Sequence, residues 1–274
     1  MYSTKQKAGT AVGFLMKLLV ASIFIFPFLW MVSLSLQTDA EVAKLTFWPS
    51  SPSFDNFKLA WKLAPFGMYF KNSIEIILSI IVLQTLVMVP AAYAFAKFDF
   101  KGKSALFGII LIAFMMPTQV TFIPVYYMMA DFGWTNTLLP QIIPHMTNAV
   151  GIFLLRQYFM QVPDELIEAA RLDNANELQV LSKIMLPMAK PGISAIALLS
   201  FIGHWNDYFW PLIMTNSDNI RPITIGVQRL KDTEGNDQWN VIMAGNMFLV
   251  GPILLMYLFA SKYIINSFAY SGIK

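Results

Sequence analysis

The sequence predicts an all-α membrane protein with six transmembrane helices and one cytoplasmic connection folded as a short helix pair. Three observations carry this expectation. Of 274 residues, 57% are apolar and only 13% charged, and the mean hydropathy is +0.57. Nineteen basic and sixteen acidic side chains are too few to clothe a water-exposed chain of 31.0 kDa. Apolar runs long enough to cross a bilayer recur six times between charged connections, and one of those connections has a helical apolar pattern of its own. The same arithmetic excludes other classes. A net charge of +3, scattered along the chain, leaves no nucleic-acid footprint, and the absence of Cys removes disulfides, Fe–S clusters and thiol chemistry.

The six expected spans run approximately from Val12 to Leu36, Ser73 to Ala96, Ser104 to Ala130, Thr137 to Met160, Met188 to Met214 and Val241 to Ile265. Lys5 and Lys7 precede the first run as they would a secretion signal. It outlasts a signal's apolar region and has no clear small-residue cleavage site, so it reads as a retained anchor. An even number of spans puts both termini on one side. Lys5, Lys7, Lys17, Lys97, Lys101, Lys103, Arg156, Arg171, Lys183, Lys190, Lys262 and Lys274 then share a face and make up 12 of the 19 basic residues, which marks that face as cytoplasmic. Two long connections, Gln37 to Asn72 and Thr215 to Asn240, lie outside. The whole chain, 1–274, is read as one domain: a first span at 12–36, a core at 73–265 and the patterned loop at 163–190.

That loop, Pro163 to Gly192, reads as two short helices and a turn. Pro163 suits a first helical position, and Asp164, Glu165 and Glu168 favour the positive end of the helix dipole. Leu166, Ile167, Ala169 and Ala170 form an apolar face, with Glu168 and Arg171 placed to pair at i, i+3. Asn174 marks the turn, since Asn enters the left-handed region more readily than other non-Gly residues. Asn176 and Gln179 make a capping box for a second helix carrying Val180, Leu181, Ile184 and Met185, expected to end near Pro187 and Pro191. Such an element cannot bury its own apolar face, so it packs beneath its own spans or enters a groove on another protein.

Glu168 to Pro187, EAARLDNANELQVLSKIMLP, resembles the EAA loop of permease subunits in binding-protein-dependent ABC importers. The family pattern is Glu-Ala-Ala, three residues, Gly, nine residues and Ile-x-Leu-Pro. Glu168, Ala169, Ala170, Ile184, Leu186 and Pro187 match it, and Asn174 stands at the glycine. The runs Met115 to Pro140, Gly151 to Pro163 and Phe201 to Leu212 are similar to the carbohydrate branch, the maltose-type second permease, and the likeness covers roughly Asn72 to the C-terminus. The resemblance implies a type I importer permease fold in a bacterial or archaeal cytoplasmic membrane. It implies that Glu168, Ala169, Ala170, Asn174, Ile184, Leu186 and Pro187 dock into an ATPase. It further implies ATP and Mg on that partner with no cofactor here, two ATPase copies, a homologous second permease, an external solute-binding protein, and a sugar, oligosaccharide or polyol as cargo.

Polar residues are expensive inside spans, which singles out Glu75, His204, Asn206 and Asp207. Trp205, Asn206, Asp207 and Trp210 combine amide, carboxylate and aromatic groups suited to a sugar path or gate, with Asn206 and Trp210 on one helical face. Hydrogen bonding between helices explains the same residues. Asn236, Asp237 and Trp239 in the last outer loop are, by the resemblance, candidates to touch the binding protein, and a solvated loop is the plain alternative. His145 and His204 fall on different spans with no ligand spacing, so no metal site is expected. Gly102-Lys103-Ser104 lacks the first glycine of a phosphate loop, since Lys97 holds that position. Two rival readings are an ion-coupled transporter, which would need more intramembrane carboxylates, and a membrane hydrolase, which would need a nucleophile, base and orienting group together. Within the importer class, another solute is the alternative.

Overall fold

Long apolar helices dominate the computed structural model, which describes the backbone of residues 4–231 and 237–269 and side chains within 13–231 and 237–258. Among the described residues every regular element is helical. In order they are α1 (Thr4–Ser35), α2 (Asp39–Ala43), α3 (Asp55–Leu63), α4 (Phe66–Lys97), α5 (Lys103–Met115), α6 (Thr118–Asp131), α7 (Leu139–Ile142), α8 (Ala149–Met160), α9 (Asp164–Leu172), α10 (Glu177–Val180), α11 (Leu186–Trp205), α12 (Phe209–Met214), α13 (Ile223–Gln228) and α14 (Trp239–Ala269). Two compact units emerge: Met1–Phe66 with Gly226–Pro252, and Gly67–Ile225 with Ile253–Lys274.

Among the described residues four helical stretches are long and apolar enough to span a bilayer: Gly13–Ser35, Phe66–Lys97, Glu177–Trp205 and Trp239–Leu258. Side chains such as Phe14, Leu19, Phe24, Leu78, Leu86 and Leu255 project outward from them, as they do where the solvent is lipid. The other two expected spans are not single helices. In place of the third, α5 and α6 meet at a 99° bend. Met116 there is extended (ψ 124°), the conformation forced on a residue that precedes proline, and Pro117 follows in the same region (ψ 132°). In place of the fourth stand α7, a tight 3₁₀ turn at Ile143–His145 and the 12-residue α8, about 18 Å long. The fifth also departs from expectation. Its helix begins at Glu177, passes Pro187 and Pro191 without stopping, and ends at Trp205 instead of Met214. One wider turn of π-helical spacing, Leu181–Met185, precedes the prolines and rearranges the ladder that Pro187 would otherwise break.

The first unit is fastened by Asn240. Its amide donates to Gln37 O at 3.2 Å, Asp39 Oδ1 at 2.8 Å and Asn56 Oδ1 at 3.2 Å, while Asn56 Nδ2 reaches Ser35 O at 2.9 Å and Gln37 O at 2.8 Å. Glu41 closes the neighbouring loop. The Ser50 hydroxyl and the backbone N–H groups of Thr38 and Ser50 donate to its carboxylate and lower its pKa to about 2. Phe248 gathers the rings of Phe57, Trp61 and Phe66 at 5.9, 5.3 and 5.1 Å.

The second unit has its core where α4, α8, α9 and α11 converge on Met88, Ala92, Tyr93, Leu155, Phe159, Ile167, Met185 and Ala189. Arg156 is held inside this core: Nε donates to Phe95 O at 3.1 Å, and the guanidinium lies 4.4 Å from the centre of the Phe107 ring. α8 and α11 approach so closely at Gly192 that a Cβ there would stand 2.6 Å from the Tyr158 ring. Gly192→Leu should therefore cost about 1 to 3 kcal/mol through overpacking, read as a lower thermal midpoint of the detergent-purified protein. An unchanged midpoint would refute the close packing of these helices.

Candidate coupling hairpin and polar cavity

The connection that follows α8 folds as two helices around one left-handed residue. Asn174 takes φ +61°, the conformation for which it was singled out. Ala175 N–H donates to Ala170 O at 2.9 Å and Asn174 N–H to Arg171 O at 3.0 Å, which together form the Schellman ending of α9. Asn176 and Gln179 then exchange their capping-box bonds, each 2.9 Å, to start α10. Pro163 is the residue before the helix rather than its first member, with ψ 137°.

Two polar ties hold this hairpin to its own helices. Lys97 Nζ donates to Val162 O and Asp164 Oδ1, both at 2.6 Å. Glu177 accepts from Tyr93 Oη at 2.6 Å and pairs with Arg171 at 2.9 Å. Arg171 therefore takes Glu177 as its partner in place of the expected Glu168. The inward face presents Ile167 and Val180, both buried, with Ala170, Ala175 and Ile184 packed against the same core. On the outward face Glu168, Ala169, Asn174 and Pro187 are exposed, as is a stripe of Leu166, Ala169 and Leu172 at helical spacing. Leu172 is 84% exposed and Leu178 72%, well above what an apolar side chain needs merely to sit at a surface. Leu186 is half-buried at the start of α11.

A second constellation lies in the same unit, around a cavity of about 20 Å³ lined by Ser73, Ile76, Ile77, Gln141, His145, His204, Asp207, Trp210, Pro211 and Pro222. Breaks in the helices build it. α11 ends at Trp205, the C-cap Asn206 turns its Nδ2 back to Ile202 O at 2.8 Å, and just before α12 Asp207 accepts from Trp210 N–H at 3.3 Å. Asn206 and Trp210 consequently do not share a helical face. Trp205 is packing, not lining: it is 1% exposed, stacked on Phe201 at 5.3 Å and met edge-on by Phe70 at 5.7 Å. Of the four pathway candidates, Asp207 and Trp210 reach the cavity. Glu75 is exposed on α4 and lies away from it.

The two histidines, expected apart, stand together with ring centres 4.7 Å from each other. The 3₁₀ turn that carries His145 brings it to the end of α11. Sequence reasoning missed Gln141 and His145 as cavity residues because an apolar window cannot register a break. The available signal was Pro140 and Pro144 flanking them. In the first unit Trp239 is 48% exposed and Asp237 half-buried, while Asn236 lies outside the described residues.

Residues 88–268, more than half of the chain, match the family described as binding-protein-dependent transport system inner membrane component. The chain belongs to that family. It is accordingly a multi-pass, non-enzymatic membrane subunit of such a transporter. Among its relatives is the arabinooligosaccharides transport system permease protein AraQ of Halalkalibacterium halodurans, 31% identical over 98% of this chain and 99% of the relative. The sn-glycerol-3-phosphate transport system permease protein UgpE of Salmonella typhi is 31% identical over 88% of this chain and 89% of its own. The diacetylchitobiose uptake system permease protein NgcG of Streptomyces coelicolor is 28% identical, covering 93% and 86%. A chain in the crystal structure of a bacterial ABC transporter importing the acidic polysaccharide alginate superposes with a TM-score of 0.85 at 26% identity, over 96% of this chain and 99% of that one.

The hairpin geometry depends on Asn174. Asn174→Val should lose roughly 1 to 2 kcal/mol locally, because a β-branched side chain resists this φ. Amide exchange at Ala175 should accelerate about tenfold or more, whereas Asn174→Gly should leave it near the parent rate. Equal exchange in all three proteins would show that the turn does not need a left-handed residue.

Proposed function

We propose that this chain forms half of the translocation pathway of an ATP-binding-cassette importer for a sugar, oligosaccharide or polyol, and that its hairpin converts a partner's ATP cycle into movement of the spans. The observation that carries the reading is the two-faced hairpin. Its inner face is fixed to the bundle through Ile167, Lys97 and Tyr93, and its outer face leaves Leu166, Leu172 and Leu178 in water around Glu168. An exposed apolar stripe on a firmly held helix pair suits insertion into a groove of another protein.

In this reading two ATPase subunits carry ATP and Mg, and one of them receives Glu168, Ala169, Ala170 and Asn174, backed by Ile184, Leu186 and Pro187. Closure of the ATPases on nucleotide draws the hairpins of two permeases together, and the spans tilt with them. A homologous second permease covers the outward apolar residues of α5 and α6, such as Ile112, Met115, Val120 and Ile123. Asp207 and Trp210 belong to the path or its gate, with Trp205 and Asn206 holding the chain on either side of the break. Asp237 and Trp239, together with Asn236, meet the external solute-binding protein, and both termini face the cytoplasm. The carbohydrate class rests on the relatives' names, which span arabinooligosaccharides, diacetylchitobiose and a polyol phosphate.

Glu168→Lys, with its charge reversed on the exposed face, should abolish co-purification of the ATPase and reduce uptake to background while the chain still inserts in the membrane. Undiminished ATPase recovery and uptake in that variant would remove the coupling role. In the parent complex, ATP turnover stimulated by the loaded binding protein should be confined to carbohydrate or polyol cargo when measured across a solute panel.

A further inference from the structure

We propose that His145, His204 and Asp207 form a binding site for a divalent transition metal of the zinc class, joining the two helix breaks that meet there. One imidazole nitrogen from each histidine and one carboxylate oxygen of Asp207 lie within 4.8 Å of one another. They come from the 3₁₀ turn after α7, the last turn of α11 and the step into α12. Two imidazoles and a carboxylate are a donor set that zinc and its neighbours accept, with positions left for water or another oxygen.

Two further observations point to an occupant. His145 Nε2 is buried without a hydrogen-bond partner, and so is Gln141 Oε1, on a side chain only 2% exposed that also lines the cavity. Gln141 Nε2 is already committed to Ile220 O at 3.1 Å, so the amide is fixed with its oxygen free. Buried polar atoms are rarely left without a partner, and two on residues that line one small space call for an occupant there. The cavity of about 20 Å³ holds an ion or a single water and is too small for a sugar ring. Asp207 spends its carboxylate on the Trp210 N–H at 3.3 Å, and its remaining lone pairs suffice for a metal bond. Tetrahedral zinc with bonds of about 2.0 Å sets its ligand atoms about 3.3 Å apart, so closing on the ion takes rotation of the two imidazoles toward each other. Pro140 and Pro211 hold the surroundings: Trp210 Nε1 donates to Pro140 O at 2.7 Å and Thr215 Oγ1 to Pro211 O at 2.7 Å.

The test is a Co²⁺ titration of the intact permease and ATPase complex, purified with a non-histidine tag and stripped with chelator. One equivalent of Co²⁺ per copy of this chain should develop the intense visible bands of low-coordinate cobalt, and one equivalent of Zn²⁺ should erase them. His145→Gln and His204→Gln, chosen to keep polarity and bulk, should each weaken that site at least about 100-fold, given that even supporting residues around a metal contribute 10 to 100-fold. Loss of ATPase recovery in a variant is checked separately, and the parent spectrum alone can overturn the site. Absence of the bands in the parent complex, or equal affinity in parent and both variants, refutes it. The titration reads no transport, so its failure leaves the importer reading standing, and the converse also holds.

Discussion

Backbone groups buried in lipid find no water, and every interruption of a helix there frees donors and acceptors that protein must satisfy. The second unit is organised by that demand. Where the chain breaks after α7, Trp210 Nε1 covers Pro140 O and Gln84 Nε2 covers His145 O at 2.9 Å, with Gln84 itself held by the Ser200 hydroxyl at 2.7 Å. Where it breaks after α11, Thr224 Oγ1 covers Asp207 O at 2.8 Å. Asn72 Nδ2 takes up Asn219 O at 2.9 Å and Arg221 O at 3.0 Å, and the Ser73 hydroxyl accepts from Ile223 N–H at 2.9 Å. The buried Gln, Asn and Ser residues are therefore the means by which irregular backbone persists at all. Polar atoms collect at the breaks for this reason, and the cavity between His145, His204 and Asp207 is where two breaks meet.

The hairpin follows a different logic, because it has water on one side. Its shape is set locally by a left-handed Asn and a reciprocal cap, and the only ties to a distant element among those named are the ones that Tyr93 and Lys97 of α4 make with Glu177, Val162 and Asp164. What bears on the proposed coupling is how the chain leaves the hairpin. From Glu177 the chain is helical to Trp205, 29 residues and about 43 Å. A hinge at Pro187 would have absorbed any displacement. The π-helical turn at Leu181–Met185 instead leads the helical run past the proline to Trp205 as one stretch.

This contrast explains what the amino-acid sequence disclosed. The turn at Asn174, the cap at Asn176 and Gln179, and the apolar face of Ile167 and Ala170 are patterns within a few residues, and each was legible. The continuation through Pro187 was not, because the rule that proline ends a helix says nothing of a wider turn placed ahead of it. The broken third, fourth and fifth spans were hidden for a related reason. Averaged apolarity runs smoothly across Met116–Pro117 and across Asn206–Tyr208, where backbone dihedrals change abruptly. Asn206 and Trp210 were assigned one face on the assumption of an unbroken helix, and the meeting of the two histidines is a product of the very breaks that hydropathy smooths over.

The two sites are ends of one object. Glu177, tied to Tyr93 and Arg171, opens the long helical run, and His204 closes it one residue from its end. Under the proposed coupling, displacement at the hairpin would be felt at His204 and at the break before Asp207, and anything that fixes His204 against His145 would resist it. Such coupling is reciprocal by thermodynamic necessity. The proposed coupling, in which a nucleotide-driven partner moves the cavity, would equally let the state of the cavity bias the partner. It requires only that the run stay helical and that the breaks stay confined to its far end, where the polar side chains that satisfy them are already in place.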